Sequence, residues 1–286
     1  MAEKFDVLII GAGLSGIGAA CHLKRECPNK TFVILEGRDA MGGTWDLFRY
    51  PGIRSDSDMY TLGYNFKPWT NPKAIADGPS IRAYIHEAAQ EYDVNRHIRY
   101  GHKVLKAAWS TPKATWTIEA TNKAGEPVTI EANFVISCTG YYNYEAGYTP
   151  EFKGRERFKG QIIHPQLWPE NLDYTNKKVV IIGSGATAVT LLPSMTDKAA
   201  HVTMLQRSPS YVISVPQEDI ISNKLRKYLP EKIVYHMARA RNVGLSLGLY
   251  RYSRAKPAVM RRFLLSQVRR QVGQNFDMSH FTPQYN

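Results

Sequence analysis

The stretch Val7-Leu-Ile-Ile-Gly11-Ala-Gly13-Leu-Ser-Gly16 decides how the rest of the chain is read. Phe5 to Ile10 is a short apolar run, rich in β-branched residues and ending at glycine, as a strand buried in a parallel sheet would be. Leu14 to Arg25 has helical composition, and Thr31 to Leu35 is a second apolar run. Strand, glycine turn, helix and strand in roughly 30 residues make a βαβ unit. Its glycines have separate tasks. Gly11 permits the tight turn, Gly13 lets a pyrophosphate approach the backbone, and Gly16 lets helix and strand pack closely. The helix N-terminus then offers N–H groups and partial positive charge to phosphates, with Ser15 in its first turn. Glu36 ends the second strand, where a carboxylate accepts hydrogen bonds from ribose hydroxyls.

The arrangement recurs once. Lys177 to Ile182 leads into Gly183-Ser184-Gly185-Ala186-Thr187-Ala188-Val189, with alanine in place of the third glycine, and a further strand follows from His201 to Leu205. That strand ends in Gln206-Arg207-Ser208 rather than in an acid. A carboxylate there would repel a 2′-phosphate, whereas Arg207 can pair with one and stack on adenine. The second loop therefore predicts NADPH in preference to NADH. Two dinucleotide loops in one chain predict a flavoprotein reduced by a pyridine nucleotide, with FAD on the first loop. A single-cofactor dehydrogenase needs only one.

Between the loops, Gly37 to Pro72 reads as ordered loop, and Pro79 starts an amphipathic helix through Ile81, Ile85, Ala88 and Ala89. Period-two patterning then predicts a small antiparallel meander. Its strands carry Val104, Ala107 and Trp109, then Trp116 and Ile118, then Val128 and Ile130, with a turn at Asn122 to Gly125. Phe134 to Cys138 reads as a separate buried strand. The predicted fold is α/β, with two Rossmann-like domains on parallel sheets, the meander and a C-terminal helical segment. Expected boundaries are 1–145 for FAD, 146–217 for NADPH and 218–286 for a basic helical insert.

The chain has 286 residues, 43% hydrophobic and 22% charged, the balance of a globular protein. Its net charge of +12 is uneven, because residues 218–286 carry 13 Lys/Arg against 4 Asp/Glu. A basic helical face can be simply solvated, or can rest on an anionic membrane surface. Met and aromatic residues in that segment read as core. No nucleic-acid module is present, and no apolar stretch is long enough to span a bilayer. The N-terminus has no signal-peptide pattern. Cys21, Cys27 and Cys138 have no metal-type spacing, so reduced thiols, a cytoplasmic setting and no bound metal are expected. The histidines His86, His97, His102, His201, His236 and His280 are scattered without ligand spacing.

Phe158-Lys-Gly160-Gln-Ile-Ile-His164-Pro-Gln-Leu-Trp168-Pro169 resembles the fingerprint of class B flavoprotein monooxygenases of the Baeyer–Villiger type at every fixed position. Met41 to Asp58 and Tyr141 to Tyr144 are similar to the mycobacterial members that activate thioamide drugs. The resemblance runs the whole chain. It implies that Gly43, Thr44, Trp45, Asp46 and Leu47 line FAD and that Val104 offers its backbone to the adenine. It further implies Asp56 beside the isoalloxazine, with Arg54, Ser55 and Asp56 facing NADPH. His164 would serve the linker between domains, supporting the chemistry rather than acting as a base. The implied reaction passes hydride from NADPH to the flavin, which captures O2 as a peroxyflavin. That adduct oxygenates a small lipophilic ketone, thioether or thioamide.

Members of that family are longer, and carry an arginine just beyond a Tyr-Asn-Pro-Trp-Asp-Gln stretch. This sequence ends at Phe281-Thr-Pro-Gln-Tyr285-Asn286. The resemblance thus implies either a piece of a longer enzyme or a shortened form, with sheet edges left uncovered. A dinucleotide-binding remnant without catalysis is the alternative. A flavin reductase or disulfide oxidoreductase would share the two loops, but no Cys-x-x-Cys or Cys-x-x-x-x-Cys pair is present.

Overall fold

The structure is a computed structural model that describes residues 2–285. Met1 and Asn286, on which the readings of the two chain ends rest, lie outside the described residues. The chain is mixed α/β and divides into two compact units, residues 1–49 with 78–170 and residues 50–77 with 171–286.

In the first unit, β1 (Glu3–Ile10), α1 (Leu14–Glu26) and β2 (Phe32–Leu35) form the expected βαβ unit. β1 and β2 are parallel, with Leu8 opposite Val33 and Ile10 opposite Leu35. The single-turn helix α2 (Thr44–Leu47) belongs to this unit. In the second unit, α3 (Met59–Leu62) is another single turn, so the stretch read as loop holds two short helices. Helix α4 (Gly78–Glu91) buries Ile81, Ile85, Ala88 and Ala89, as its periodicity predicts. It packs on α1, where the Cys21 thiol reaches the Ala88 carbonyl at 3.8 Å.

The strands β3 (Ile98–Arg99), β4 (Lys103–Ser110), β5 (Thr115–Thr121) and β6 (Pro127–Ser137) complete a six-stranded sheet in the order β3-β2-β1-β6-β5-β4. The meander is therefore not a separate layer. β6 is one 11-residue strand that merges the two runs read separately. Its residues 127–132 pair antiparallel with β5 and its residues 130–137 pair parallel with β1. Leu8, Val33 and Leu35 share one core cluster with Ile118, Ala120, Ile130 and Ala132. Phe134, expected inside, is 62% exposed.

In the second unit, β7 (Lys178–Ile182) and β8 (His201–Leu205) form a two-stranded parallel sheet joined through α5 (Ala186–Met195). Val180, Ile182 and Leu205 are exposed, so this sheet is much less enclosed than the first. The helices α6 (Ile220–Leu225), α7 (Glu231–Ala255) and α8 (Pro257–Val272) follow. Tyr60, Ala74, Tyr235 and Ala238 form a buried cluster between α3 and α7. Arg226 donates to the Tyr60 hydroxyl at 3.2 Å, and Arg239 to the Tyr60 carbonyl at 2.7 Å. The reading of the basic segment's Met and aromatic residues as core holds for Tyr235 but not for Met237, Tyr250, Tyr252 or Phe263, which are exposed.

The division between units also differs from the expected boundaries at 145 and 217. Residues 50–77 belong with the second glycine loop, and the fingerprint stretch belongs with the first. The cause for the first displacement is close packing. A β-carbon on Gly52 would overlap the Ser194 hydroxyl, so the Tyr50–Gly52 backbone lies directly on α5.

Candidate functional site

The first glycine loop opens onto a cavity of about 850 Å³ within the first unit. Its three glycines separate cleanly. Gly11 sits at φ +99°, and a β-carbon there would come within 2.6 Å of the Cys138 carbonyl oxygen. A β-carbon on Gly16 would overlap the Gly11 carbonyl. Both are required by the protein's own backbone. Gly13 is different: at φ −78° a β-carbon would make only an ordinary contact, 3.5 Å from the Gly43 α-carbon. Gly13 lines the cavity, and its missing side chain leaves backbone open to whatever fills that space. It is also the N-cap of α1 and supplies no side-chain cap, so the helix end is left open at the cavity.

Glu36 is buried at the cavity wall. Its Oε2 accepts from the Ala12 N–H at 2.7 Å, and its Oε1 from the Arg38 N–H at 2.9 Å. Those bonds aim the carboxylate and leave lone pairs for ribose hydroxyls. Ser15, Gly43, Thr44, Trp45 and Val104 also line this cavity. Val104 sits where β4 departs from regular register with β5, which turns this end of the strand towards the cavity.

Asp46 and Leu47 are not among the lining residues. Asp46 is buried beneath them and gathers three arginines, Arg38 at 2.8 Å, Arg49 at 3.0 Å and Arg82 at 3.1 Å. One carboxylate against three guanidiniums leaves a local excess of positive charge, and Arg38 carries it to the cavity wall. Arg38 is a wall residue without an expected role, although its place in Glu36-Gly-Arg38 is a legible signal. Lys103, Cys138 and Tyr141 to Glu145, which carry no cavity signal in the sequence, also line the cavity. Burial raises the Cys138 thiol pKa, which leaves it protonated at neutral pH.

The second loop lies in the second unit. Gly183 is at φ +124°, its N–H bonds the Leu205 carbonyl at 2.8 Å, and among the described residues no atom lies within 4 Å of a β-carbon on Gly183 or Gly185. Gly185 is an N-cap without a side-chain cap, and Ala188 is buried at the third position. Ser184, Ala186, Thr187 and Val189 surround this turn. Arg207 and Ser208 are exposed just past β8, and Arg207 has no ion pair among the described residues.

Arg54, Ser55 and Asp56 share this unit. The Tyr50 hydroxyl bonds Thr187 and feels the charge of Asp56, and burial above all raises its pKa. Asp56 is exposed and does not line the first cavity. Ser55 is buried, its hydroxyl donating to the Ser57 carbonyl at 2.7 Å. The Arg54 backbone forms an isolated antiparallel β-bridge with that of Asp77. His164 lies in the first unit, where its Nδ1 accepts from the Gln166 N–H at 3.2 Å.

Each loop closes a parallel strand and opens a helix without a side-chain cap, which gives the chain two βαβ units of the dinucleotide-binding type. The chain belongs to the pyridine nucleotide-disulphide oxidoreductase family, whose pattern it matches over residues 8–243. It is 56% identical over 290 residues to MymA of Mycobacterium tuberculosis strain H37Rv, covering 100% of this chain and 59% of that protein. It is 54% identical over 288 residues to the FAD-containing monooxygenase EthA of Mycolicibacterium smegmatis, covering 100% of this chain and 58% of the relative. Among solved structures it is similar to the cyclohexanone monooxygenase of Rhodococcus sp. Phi1 bound to NADP+. That similarity has a TM-score of 0.69 and 26% identity, covering 82% of this chain and 44% of the other. The chain thus spans less than two thirds of the length of the curated relatives it matches. The cysteines Cys21, Cys27 and Cys138 are all free.

Proposed function

We propose that this chain carries the FAD and NADPH sites of a monooxygenase of the Baeyer–Villiger type. The observation that carries this is the pair of glycine loops with opposite charge at the ribose end, Glu36 in one and Arg207 in the other. Gly11, Gly13, Ser15 and Gly16 would hold the FAD pyrophosphate, with Glu36 on the ribose and Arg38 adding positive charge. Gly43, Thr44, Trp45, Asp46 and Leu47 would shape the flavin half, Val104 the adenine end, and Asp56 the flavin side that meets NADPH. Gly183 to Val189 would hold the NADPH pyrophosphate, Arg207 and Ser208 its 2′-phosphate, and Arg54 and Ser55 its nicotinamide half.

Bound FAD supplies the reaction with O2 and the transfer of one oxygen atom to a lipophilic ketone, thioether or thioamide. The protein's part is to position the cofactors, supply positive charge where negative charge gathers, and keep water out. Support comes from the match to relatives described as FAD-containing monooxygenases and to a neighbour bound to NADP+.

The test is the visible spectrum of the purified chain before and after NADPH is added under nitrogen. Flavin bands that bleach with NADPH support both sites. A colourless protein that cannot take up FAD sinks the proposal. Bleaching without any oxygenated product on return to air would leave the dinucleotide-binding reading without catalysis.

No helix among the described residues is long and apolar enough to cross a membrane. A cytoplasmic protein that touches an anionic membrane surface is the reading favoured by α7. Leu245, Leu247, Leu249 and Tyr250 are exposed there beside Arg251 and Arg254. Co-sedimentation with anionic but not neutral vesicles would support it, and equal recovery with both would refute it.

A further inference from the structure

Residues Tyr141 to Glu145 form one wall of the first cavity without belonging to any helix or strand. Such a wall keeps its shape only through its side-chain and backbone partners. Two partners come from the cavity itself. The Arg38 guanidinium lies 5.8 Å from the centre of the Tyr144 ring, and Lys103 pairs with Glu145.

The other two come from behind, and both belong to the Phe158–Pro169 stretch. Gln166 is 6% exposed, and its side-chain amide donates to the Asn143 carbonyl. A buried amide placed against one loop carbonyl is costly to leave unpaired, so it specifies that loop's position. The His164 ring lies against Gly147 so closely that a β-carbon on Gly147 would overlap the imidazole. The His164 Nδ1 in turn accepts from the Gln166 N–H, so the two residues act on the loop as one rigid turn.

We propose that Gln166 and His164 are positioning residues for the first dinucleotide. Together they hold the Asn143–Gly147 backbone so that the tyrosine-rich wall stays closed on the bound molecule. The inference rests on the reading of this cavity as the FAD site. It makes part of the fingerprint stretch a support of the first cavity, a role separate from any service between units.

The test is FAD titration of the 286-residue protein, followed by flavin fluorescence and by the rate of FAD release. Gln166→Met keeps the length and removes the amide. It should weaken FAD binding about tenfold, mainly through faster release, the loss expected for one buried hydrogen bond. Gly147→Ala should weaken it further, and adding His164→Ala to that variant should restore binding to the level of His164→Ala alone. Unchanged release from Gln166→Met, or strictly additive effects of Gly147→Ala and His164→Ala, would overturn the inference. Far-UV circular dichroism of each apoprotein separates a loosened wall from an unfolded chain, and a Gln166→Met protein that fails to fold would also count against a positioning role. Wild-type protein that takes up no FAD would sink the cavity reading first, before any variant was compared.

Discussion

The two βαβ units share one motif and differ in almost everything around it. In the first, the strand lies inside a six-stranded sheet and Gly16 is pressed against the Gly11 carbonyl. In the second, the sheet has two strands, no atom approaches a β-carbon on Gly183 or Gly185, and alanine stands third. In the first loop packing therefore demands Gly11 and Gly16, and only Gly13 is left to the proposed ligand. In the second, packing does not require Gly185, and on the proposed function the NADPH pyrophosphate would. A glycine pattern by itself does not say which of these holds, and the β-carbon geometry does.

That contrast gives the largest expected effects. Gly13→Val should yield folded but colourless protein, because the added carbons meet an ordinary contact with Gly43 and otherwise enter the cavity. Gly16→Val should fail to fold, because its β-carbon overlaps backbone. Gly185→Val should fold, keep its flavin and lose NADPH. Flavin absorbance and circular dichroism of the three variants decide the matter. A yellow Gly13→Val protein would break the comparison at its root. Next in size is Arg207→Ala, which should raise the KM for NADPH by about 10- to 100-fold, the value of a charge-assisted contact to phosphate. The KM for NADH should stay nearly unchanged. Equal rises for both nucleotides would remove Arg207 from the 2′-phosphate.

Each unit also holds a largely enclosed carboxylate against arginine. Asp46 holds three and Asp219 holds Arg241. Asp46→Asn leaves Arg38, Arg49 and Arg82 facing one another, and should lower stability by about 1–3 kcal/mol. The arginines are partly exposed, which keeps the loss below that of a fully buried pair. Urea unfolding measures it. Asp219→Asn should cost less, about 1 kcal/mol, because asparagine still caps α6. Here pH is the sharper probe. Burial alone would raise the Asp219 pKa, but hydrogen bonds from Arg241 and Ser222 outweigh it and hold the carboxyl below its ordinary value. A lowered folded-state pKa gives stability that is complete above the ordinary range near about 3.9 and is lost as pH falls through the lowered value. The gap between wild type and Asp219→Asn should close across that acidic window. A gap that persists below it would mean that the carboxylate's charge is not what stabilises the helix.

Much of this architecture was legible in the sequence for a physical reason. Both glycine turns, the strands that flank them, α4 and the meander are set by local chemistry: β-branched runs, glycines and apolar spacing. What escaped depends on contacts distant in the chain. Nothing local marks Tyr50–Gly52 as packing on α5, since the evidence is a missing side chain at Gly52 and a hydroxyl on Ser194. Asp46 looked like a cavity residue because its neighbours Thr44 and Trp45 are, yet a single helical turn points them apart. Arg38 and the Tyr141–Glu145 wall went unassigned for a similar reason. Arginine and tyrosine are common on surfaces, and only the fold brings them to one cavity.

The smallest expected effect concerns the one buried hydroxyl that lacks a partner among the described residues. Tyr235 is 1% exposed in the cluster with Tyr60, Ala74 and Ala238, and its hydroxyl makes no hydrogen bond. Its neighbour Tyr60 is as deeply buried, but its hydroxyl accepts from Arg226. The two phenols thus differ in one respect, and removing each oxygen should act in opposite directions. Tyr235→Phe relieves an unsatisfied group and should stabilise the protein by about 1 kcal/mol. Tyr60→Phe strands an Arg226 donor and should destabilise by about 1–2 kcal/mol. Thermal unfolding of the two variants beside wild type measures the pair. A Tyr235→Phe protein less stable than wild type would mean that the hydroxyl has a partner after all, most simply a buried water held in the α3–α7 contact.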